Sequence, residues 1–365
     1  MNPYIYKPLF LHFVVFLSVL QAVQRTPDTL SEKFKNNDRF WIIIISISLV
    51  LWLGLRPINV AFQDTCNYAI MYSYLSINEP GYEGKGDWLF MSIMYWFKKN
   101  GLGVNLFFLF VEAVYMYCSA YVCTRLFKFR PMVAYVAILA SFSFYSYAVN
   151  GLRQGMACAI MLVVLALVKD KKWILSGILG YFAVGTHNSV LLLIAAIVLA
   201  FFYKNTKVYF SVWLVCIVLS AFSSGMMEAI FQSIGFLDTG RSAEYLDNAN
   251  ADMSQFSSVG FRYDFLLYSA IPIFLGVYEV YKGYKDDDYK LILNTYIITN
   301  SFWVLVNRSW LSNRIAYLSW FMYAIVLIYP YLKQNNVPYR QRKLFFVLLG
   351  NAAFSYVMWL FGKYM

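Results

Sequence analysis

The sequence predicts an all-α, polytopic integral membrane protein of about twelve transmembrane helices, and three observations point there. Of its 365 residues, 61% are hydrophobic and only 13% charged, with mean hydropathy +0.56; a soluble domain carries about 25% charged residues. The apolar residues are gathered in runs that approach the ~20 residues a helix needs to cross the hydrocarbon. The 20% aromatic content, with 31 Tyr, 32 Phe and 10 Trp, suits two interfacial belts and a broad lipid-facing area. In water, so much apolar side chain would find too little polar surface to cover it.

Taken in order, the candidate spans lie near 8–23, 40–55, 104–124, 131–149, 152–168, 173–187, 188–203, 208–223, 264–281, 291–306, 312–331 and 344–361. The first run lacks a small-residue cleavage site and is read as a retained helix. The stretch 173–203 is long enough for one helix, but "GTHNS", from Gly185 to Ser189, marks a turn between two shorter ones. Segment 87–98, "DWLFMSIMYWFK", is too short to span and reads as an interfacial or re-entrant helix. The whole chain, 1–365, is expected to be a single transmembrane domain. Its outer side would carry a first loop at 56–86 and a long loop at 224–262. The second contains "MMEAIFQSIGFL", a candidate amphipathic helix, and its length favours a lid or substrate-binding loop.

Charge sets the orientation. Nineteen of the 30 Lys and Arg residues fall in one set of short connections, from Arg25–Arg39 through Arg125–Arg130, Lys169–Lys172, Lys204–Lys207 and Lys282–Lys290 to Lys333–Lys343. These face the cytoplasm if 87–98 does not cross, which leaves both termini outside. The net charge of +11 is therefore read as topology signal. No continuous basic face supports nucleic-acid binding. The five cysteines are scattered without metal or disulfide spacing. Walker, dinucleotide and HExxH patterns are absent from the sequence, and neither cofactor nor metal is expected.

The polar residues that look misplaced fall mostly on the expected outer side. They are Arg56 and Asp64 in "LGLRPINVAFQDTCNYA", and Asn150, Arg153 and Gln154 in "VNGLRQGMA". His187 and Asn188 follow in "VGTHNSVLLL", then Arg262 and Asp264 in "GFRYD", and Asn307, Arg308, Asn313 and Arg314 in "VNRSWLSNRIAY". Arg153 stands one turn into an apolar helix, where it must snorkel, pair or line a polar cavity. A cluster of arginines at a membrane surface matches a pyrophosphate or other dianionic head group, because guanidinium offers a rigid bidentate fork. A purely structural salt-bridge network through Asp64, Asp87 and Asp264 is the competing reading. His187, one of two histidines, is either a packing residue at a turn or a group that moves a proton near neutral pH. Asp64, beside Thr65 and Tyr68, is the rival base.

"LWLGLRPINVAFQDTCNYAIMY" resembles the first outer-loop segment of the EpsG family of Wzy-like polysaccharide polymerases. "NGLRQGMACAIMLVVLALVKDKKW" is similar to its R-Q-x-x-A signature, "YFAVGTHNSVLLLI" to its H-x-S segment, and "SNRIAYLSWF" to its C-terminal arginine segment. The four matches run in family order across residues 50–320. Pro57 and Cys66 are the departures. The resemblance implies a GT-C-like membrane glycosyltransferase, a polymerase of undecaprenyl-pyrophosphate-linked repeat units at the outer face of the bacterial plasma membrane. It implies a lipid-linked glycan donor and acceptor as substrates, and a chain-length regulator as a partner. Arg56, Asp64, Tyr68, Arg153, Gln154, His187 and Arg314 are the matching positions. The expected roles follow: Arg153, Arg314, Arg56, Arg308 and Arg262 on the pyrophosphate; His187 or Asp64 as base in a single inverting displacement without metal; Tyr68, Asn150, Gln154, Asn188 and Asp87 near the sugars. An O-antigen ligase-like transferase and a flippase of lipid-linked sugars are the alternatives. The one-sided placement of the charges argues against the flippase, which needs polar groups near the midplane.

Overall fold

The protein is represented by a computed structural model that describes residues 2–24, 32–78, 87–222, 261–308, 312–333 and 339–361. The described helices are α1 (Tyr6–Val23), α2 (Glu32–Gly54), α3 (Asp64–Tyr74), α4 (Trp88–Lys99), α5 (Val104–Leu126), α6 (Pro131–Leu139), α7 (Phe144–Val149) and α8 (Leu152–Lys169). They continue with α9 (Trp173–Thr186), α10 (Leu191–Phe202), α11 (Thr206–Phe222), α12 (Tyr263–Tyr281), α13 (Asp287–Leu305), α14 (Ser312–Trp320), α15 (Tyr323–Lys333) and α16 (Arg340–Leu360). The long outer loop at 224–262, with its candidate amphipathic helix and lid, lies outside the described residues except for its last two.

Each of the twelve expected spans is helical, but they are not equivalent. Among the described residues, seven helices are long and apolar enough to cross a membrane, Ser312–Lys333 counting as one, and α9, α10 and α11 are shorter apolar helices. The protein is thus an all-α, multi-span membrane protein. Two expected spans depart from this pattern, each for an identifiable reason. Segment 131–149 breaks into α6 and α7 at Ala140–Ser143, where Ser141 Oγ donates to the Ala137 carbonyl and Ser355 Oγ to the Ala140 carbonyl. Helix α13 carries buried Asn294, Thr295, Thr299 and Asn300, which lower its hydropathy. The turn expected at "GTHNS" is present, with α9 ending at Thr186. The expected short helix at 87–98 is α4, only 12 residues, about 18 Å long at 1.5 Å per residue and well short of the hydrocarbon thickness. The first outer loop holds a helix that the sequence reading did not assign, α3.

The chain forms two compact units. The first comprises residues 1–191 and 328–357. In it α2, α5, α8 and α9 pack in succession, α6 lies against α1, α2 and α5, and α4 crosses α5 and α9. Helix α16 is pinned to α6 by Ser355 and by Asn351 Nδ2, which donates to the Ala137 carbonyl at 2.8 Å. The sequence Gly151-Leu-Arg-Gln-Gly155 places two small residues four apart at the start of α8, a spacing that lets helices approach closely. Here α7 uses it: a Cβ on Gly155 would stand 2.5 Å from the Tyr147 carbonyl oxygen.

The second unit comprises residues 192–327 and 358–365, with α13 against α11, α12 and α14. Its core is sewn by hydrogen bonds, since polar groups in an apolar interior must find partners. Trp213 Nε1 donates to Asn300 Oδ1 at 2.9 Å, Asn300 Nδ2 to Ser319 Oγ at 3.0 Å, and Trp320 Nε1 to Ser269 Oγ at 2.6 Å.

Because the atom facing Gly155 is main chain, it cannot swing aside. Gly155→Ala should destabilise the protein by about 1–3 kcal/mol. That corresponds to a melting midpoint in detergent lower by roughly 3–10 °C, and an unchanged midpoint would refute the close approach.

Candidate functional site

One end of the first unit collects the residues that the sequence placed outside. Four separate connections converge there: the link from α2 to α3, the start of α4, the α7–α8 junction and the α9 turn. At their meeting point lies Asp87, buried at 9% exposure. It receives Arg153 Nη1 on Oδ2 at 2.6 Å, and on Oδ1 both His187 Nδ1 at 3.0 Å and the Asn188 backbone N–H at 3.2 Å. Arg153 also donates from Nε to the Tyr68 hydroxyl at 2.8 Å and lies over that ring, its Cζ 5.6 Å from the centroid. The Trp88 indole seats α4 on α9, occupying the space where a Cβ on Gly185 would point. That contact sets Asp87 opposite His187.

The electrostatics follow from this geometry. Burial alone would raise the Asp87 carboxyl, but the His187 hydrogen bond and charge, the Arg153 guanidinium and the Asn188 N–H outweigh it and hold the group below the ordinary carboxylate range. An ionised carboxylate only accepts hydrogen bonds, so His187 Nδ1 carries the hydrogen. In neutral imidazole that leaves the lone pair on Nε2, on a side chain 28% accessible. Asp87 adopts left-handed backbone, φ 64°, and Gln63, at the edge of the same site, has φ 37°. Asp tolerates this region better than most residues, and such departures concentrate where surrounding contacts over-determine the chain.

Around this hub sits a second tier. Asn150 Oδ1 accepts the Asp64 backbone N–H at 3.1 Å, and its Nδ2 donates to Gln63 Oε1 at 2.8 Å. The Asp64 carboxylate adds favourable charge to the surroundings of Arg153. Gln154 is buried at 5% exposure in the first turn of α8.

Arg56 requires a correction. It was expected to bind an anion at the surface, but it is 1% exposed and faces inward. Its Nε donates to Thr65 Oγ1 at 2.9 Å, Nη1 to the Leu53 carbonyl at 2.6 Å and Nη2 to the Val149 carbonyl at 3.4 Å, between the rings of Phe62 and Phe108. Thr65 Oγ1 itself donates to the Val149 carbonyl at 2.9 Å. Arg56 therefore clamps the start of α3 to the end of α7, one residue behind both Asp64 and Asn150. Pro57, directly after it, turns the chain out of α2 and frees the guanidinium to fold back.

The remaining expected arginines belong to the second unit. Arg262 is buried and forks onto Asp264, Nε to Oδ1 at 3.0 Å and Nη2 to Oδ2 at 2.9 Å, with its Cζ 3.7 Å from the Phe265 ring centroid. Arg308 donates to the Ser220 and Ala221 carbonyls at the end of α11 and lies over the Phe261 ring. Asn307 Oδ1 accepts the Arg262 backbone N–H at 3.1 Å. Arg314 is exposed in the first turn of α14. Arg153 and Arg262 thus each hold a carboxylate, Asp87 and Asp264 respectively. Among the described residues, no three His, Cys, Asp or Glu side chains are grouped to hold a metal ion.

From the sequence alone Asp87 is a sugar contact or a salt-bridge partner of the arginines, and Gln63 carries no role. Its signal was present, in that Gln63 adjoins Asp64 in a segment already suspect. Nothing local indicated that Asp87 would meet His187, 100 residues away.

A model of the EpsG family matches residues 39–365 of this chain. The EPS I polysaccharide export inner membrane protein EpsF of Ralstonia solanacearum is 28% identical over 159 residues, 42% of this chain and 37% of that protein. The match therefore spans little more than a third of that relative's length. No solved structure matches the chain. Helix content, hydropathy and these matches together make it a multi-pass bacterial inner-membrane protein.

Replacing Asp87 by Asn leaves Arg153 without its counter-charge and should cost about 1–3 kcal/mol at neutral pH, read as a lower melting midpoint. The carboxyl's folded value lies below its ordinary 3.8. Its contribution is therefore complete above that pH and lost as pH falls through the lower folded value. The gap between wild type and Asp87→Asn should hold from pH 7 to about 4 and close only below it. A gap that closes between pH 7 and 5 would contradict an ionised Asp87 hub.

Proposed function

Because the chain belongs to the EpsG family, we propose that it polymerises oligosaccharide repeat units carried on undecaprenyl pyrophosphate, at the outer face of the inner membrane. The twelve-span topology and the GT-C-like architecture are part of this reading. The observation that carries it is the Asp87-centred cluster: a histidine held by its Nδ1 with Nε2 turned away from the carboxylate, beside an arginine fixed at the outer end of a membrane helix.

The chemistry follows from the donor. The anomeric carbon is bonded to a pyrophosphate oxygen, a good leaving group that needs no cytoplasmic nucleotide. His187 Nε2 accepts the proton of the acceptor hydroxyl as its oxygen bonds to the anomeric carbon. The bond to the pyrophosphate breaks in the same step, with inversion, and the electron pair stays on the departing phosphate. Nη2 of Arg153, which has no partner among the described residues, serves the growing negative charge. Asp87 is a positioning residue: it fixes the imidazole tautomer and stabilises the imidazolium that forms. Asp64, Tyr68, Asn150, Gln154 and Asn188 are assigned to the surroundings of the sugars. With arginines in place of a divalent cation, activity should survive a chelator.

The printed name of the Ralstonia relative speaks of export, and movement of the intact lipid-linked unit is the competing outcome. Reconstitution with a purified lipid-linked repeat unit separates the two. Wild type should yield a ladder of polymers, with rates reduced about 10²–10⁴-fold in His187→Ala and the ladder lost in Arg153→Ala. Transfer of unextended units across the bilayer without a ladder would sink the polymerase reading.

A further inference from the structure

Beside this site lie two buried ionisable side chains, Glu112 and Arg56, that the proposed reaction does not use. Glu112, in the outer half of α5, is 1% exposed, its Cβ 3.4 Å from where a side chain on Gly54 would begin. Among the described residues, neither carboxyl oxygen has a hydrogen-bond partner, and the cation that acts on it is Arg56, whose N–H groups go to Thr65 and to the Leu53 and Val149 carbonyls. No ion pair joins Arg56 and Glu112, although the two act on each other electrostatically. Among the described residues, the other titratable groups that act on Glu112 are Tyr135 of α6 and Tyr145 of α7, and Tyr6 of α1 acts on Arg56. Phenols are neutral near pH 7, so they add no charge.

A buried carboxylate without donors is among the most costly states a side chain can adopt, and such a group neutralises by taking up a proton. Ionised groups inside membrane proteins pair directly or line a polar path. Were Glu112 ionised, the Arg56 guanidinium beside it would be its natural partner, yet that guanidinium holds three other acceptors.

We propose that Glu112 is a proton-binding site: its carboxyl is protonated at neutral pH and leaves Arg56 as an uncompensated buried cation behind the Asp64–Asn150 shelf. The ligand is the proton itself, and the assignment is independent of the transferase reading. If that reading holds as well, the buried charge adds to the attraction of the outer site for an anionic substrate.

The test uses the full-length protein in detergent. Infrared difference spectra between wild type and Glu112→Gln, with carbon-13-labelled glutamate to identify the bands, report the state of this one group. The expected result is loss of a protonated-carboxyl stretch. Gln matches the neutral acid in shape and charge, so Glu112→Gln should melt within about 2 °C of wild type. Loss of a carboxylate stretch instead overturns the proposal. So does a Glu112→Gln protein that fails to fold or melts roughly 10 °C lower, since that is the mark of a charge that Arg56 required.

Discussion

A single acceptor-only side chain organises one end of the first unit. Asp87 takes hydrogen bonds from an arginine on α8, an imidazole at the end of α9 and the backbone N–H that follows it. A carboxylate cannot rotate away from any one of these without abandoning the others. The left-handed backbone at Asp87 is the conformational cost of reaching all three. The rest depends on this convergence. It defines which imidazole nitrogen faces outward, it pulls Tyr68 of α3 in through Arg153, and it brings elements separated by up to 100 residues into one polar assembly.

The arginines divide their labour more sharply than their clustering in the sequence implies. Arg56 works inside the fold, where burial excludes water and makes its hydrogen bonds to main-chain carbonyls strong. Arg153 works at the boundary, partly paired and partly available. Arg262 is folded onto its own neighbour, Asp264, in a fork that stacks on Phe265. Guanidinium suits all three tasks because it stays charged, carries five donors and has two flat faces.

Much of the fold was legible because its signals are local. Apolar runs marked every expected span, and the Gly185–Ser189 turn, like the shortness of α4, could be read from a few residues. What was not legible depends on neighbours. The break between α6 and α7 needs the Ala140 carbonyl to find Ser355, 215 residues away. Helix α3 hides in "DTCNYAIMYSY" because eleven residues give too weak a periodicity to separate from a loop. For the site, residue type was informative and orientation was not. Arg56 and Arg153 look alike in sequence, each at a helix end beside Gly or Pro, yet one points into the protein and the other into the polar assembly. His187 was recognisable as a candidate from the residues alone, but its orienting carboxylate was not, since that pairing is purely tertiary.

Helix α8 carries a further consequence. It is the most apolar of the seven long helices, yet nearly all of it is covered by neighbouring protein. During synthesis it must enter the bilayer on its own merits, before α9 or α16 exists to shelter it, and only afterwards does it become a buried post of the first unit. Its greasiness therefore serves two successive solvents, first acyl chains and then packed side chains. Between Arg153, in its first turn, and Lys169, at its last, the helix carries no charged residue, so the charges sit only at the two ends of the apolar stretch.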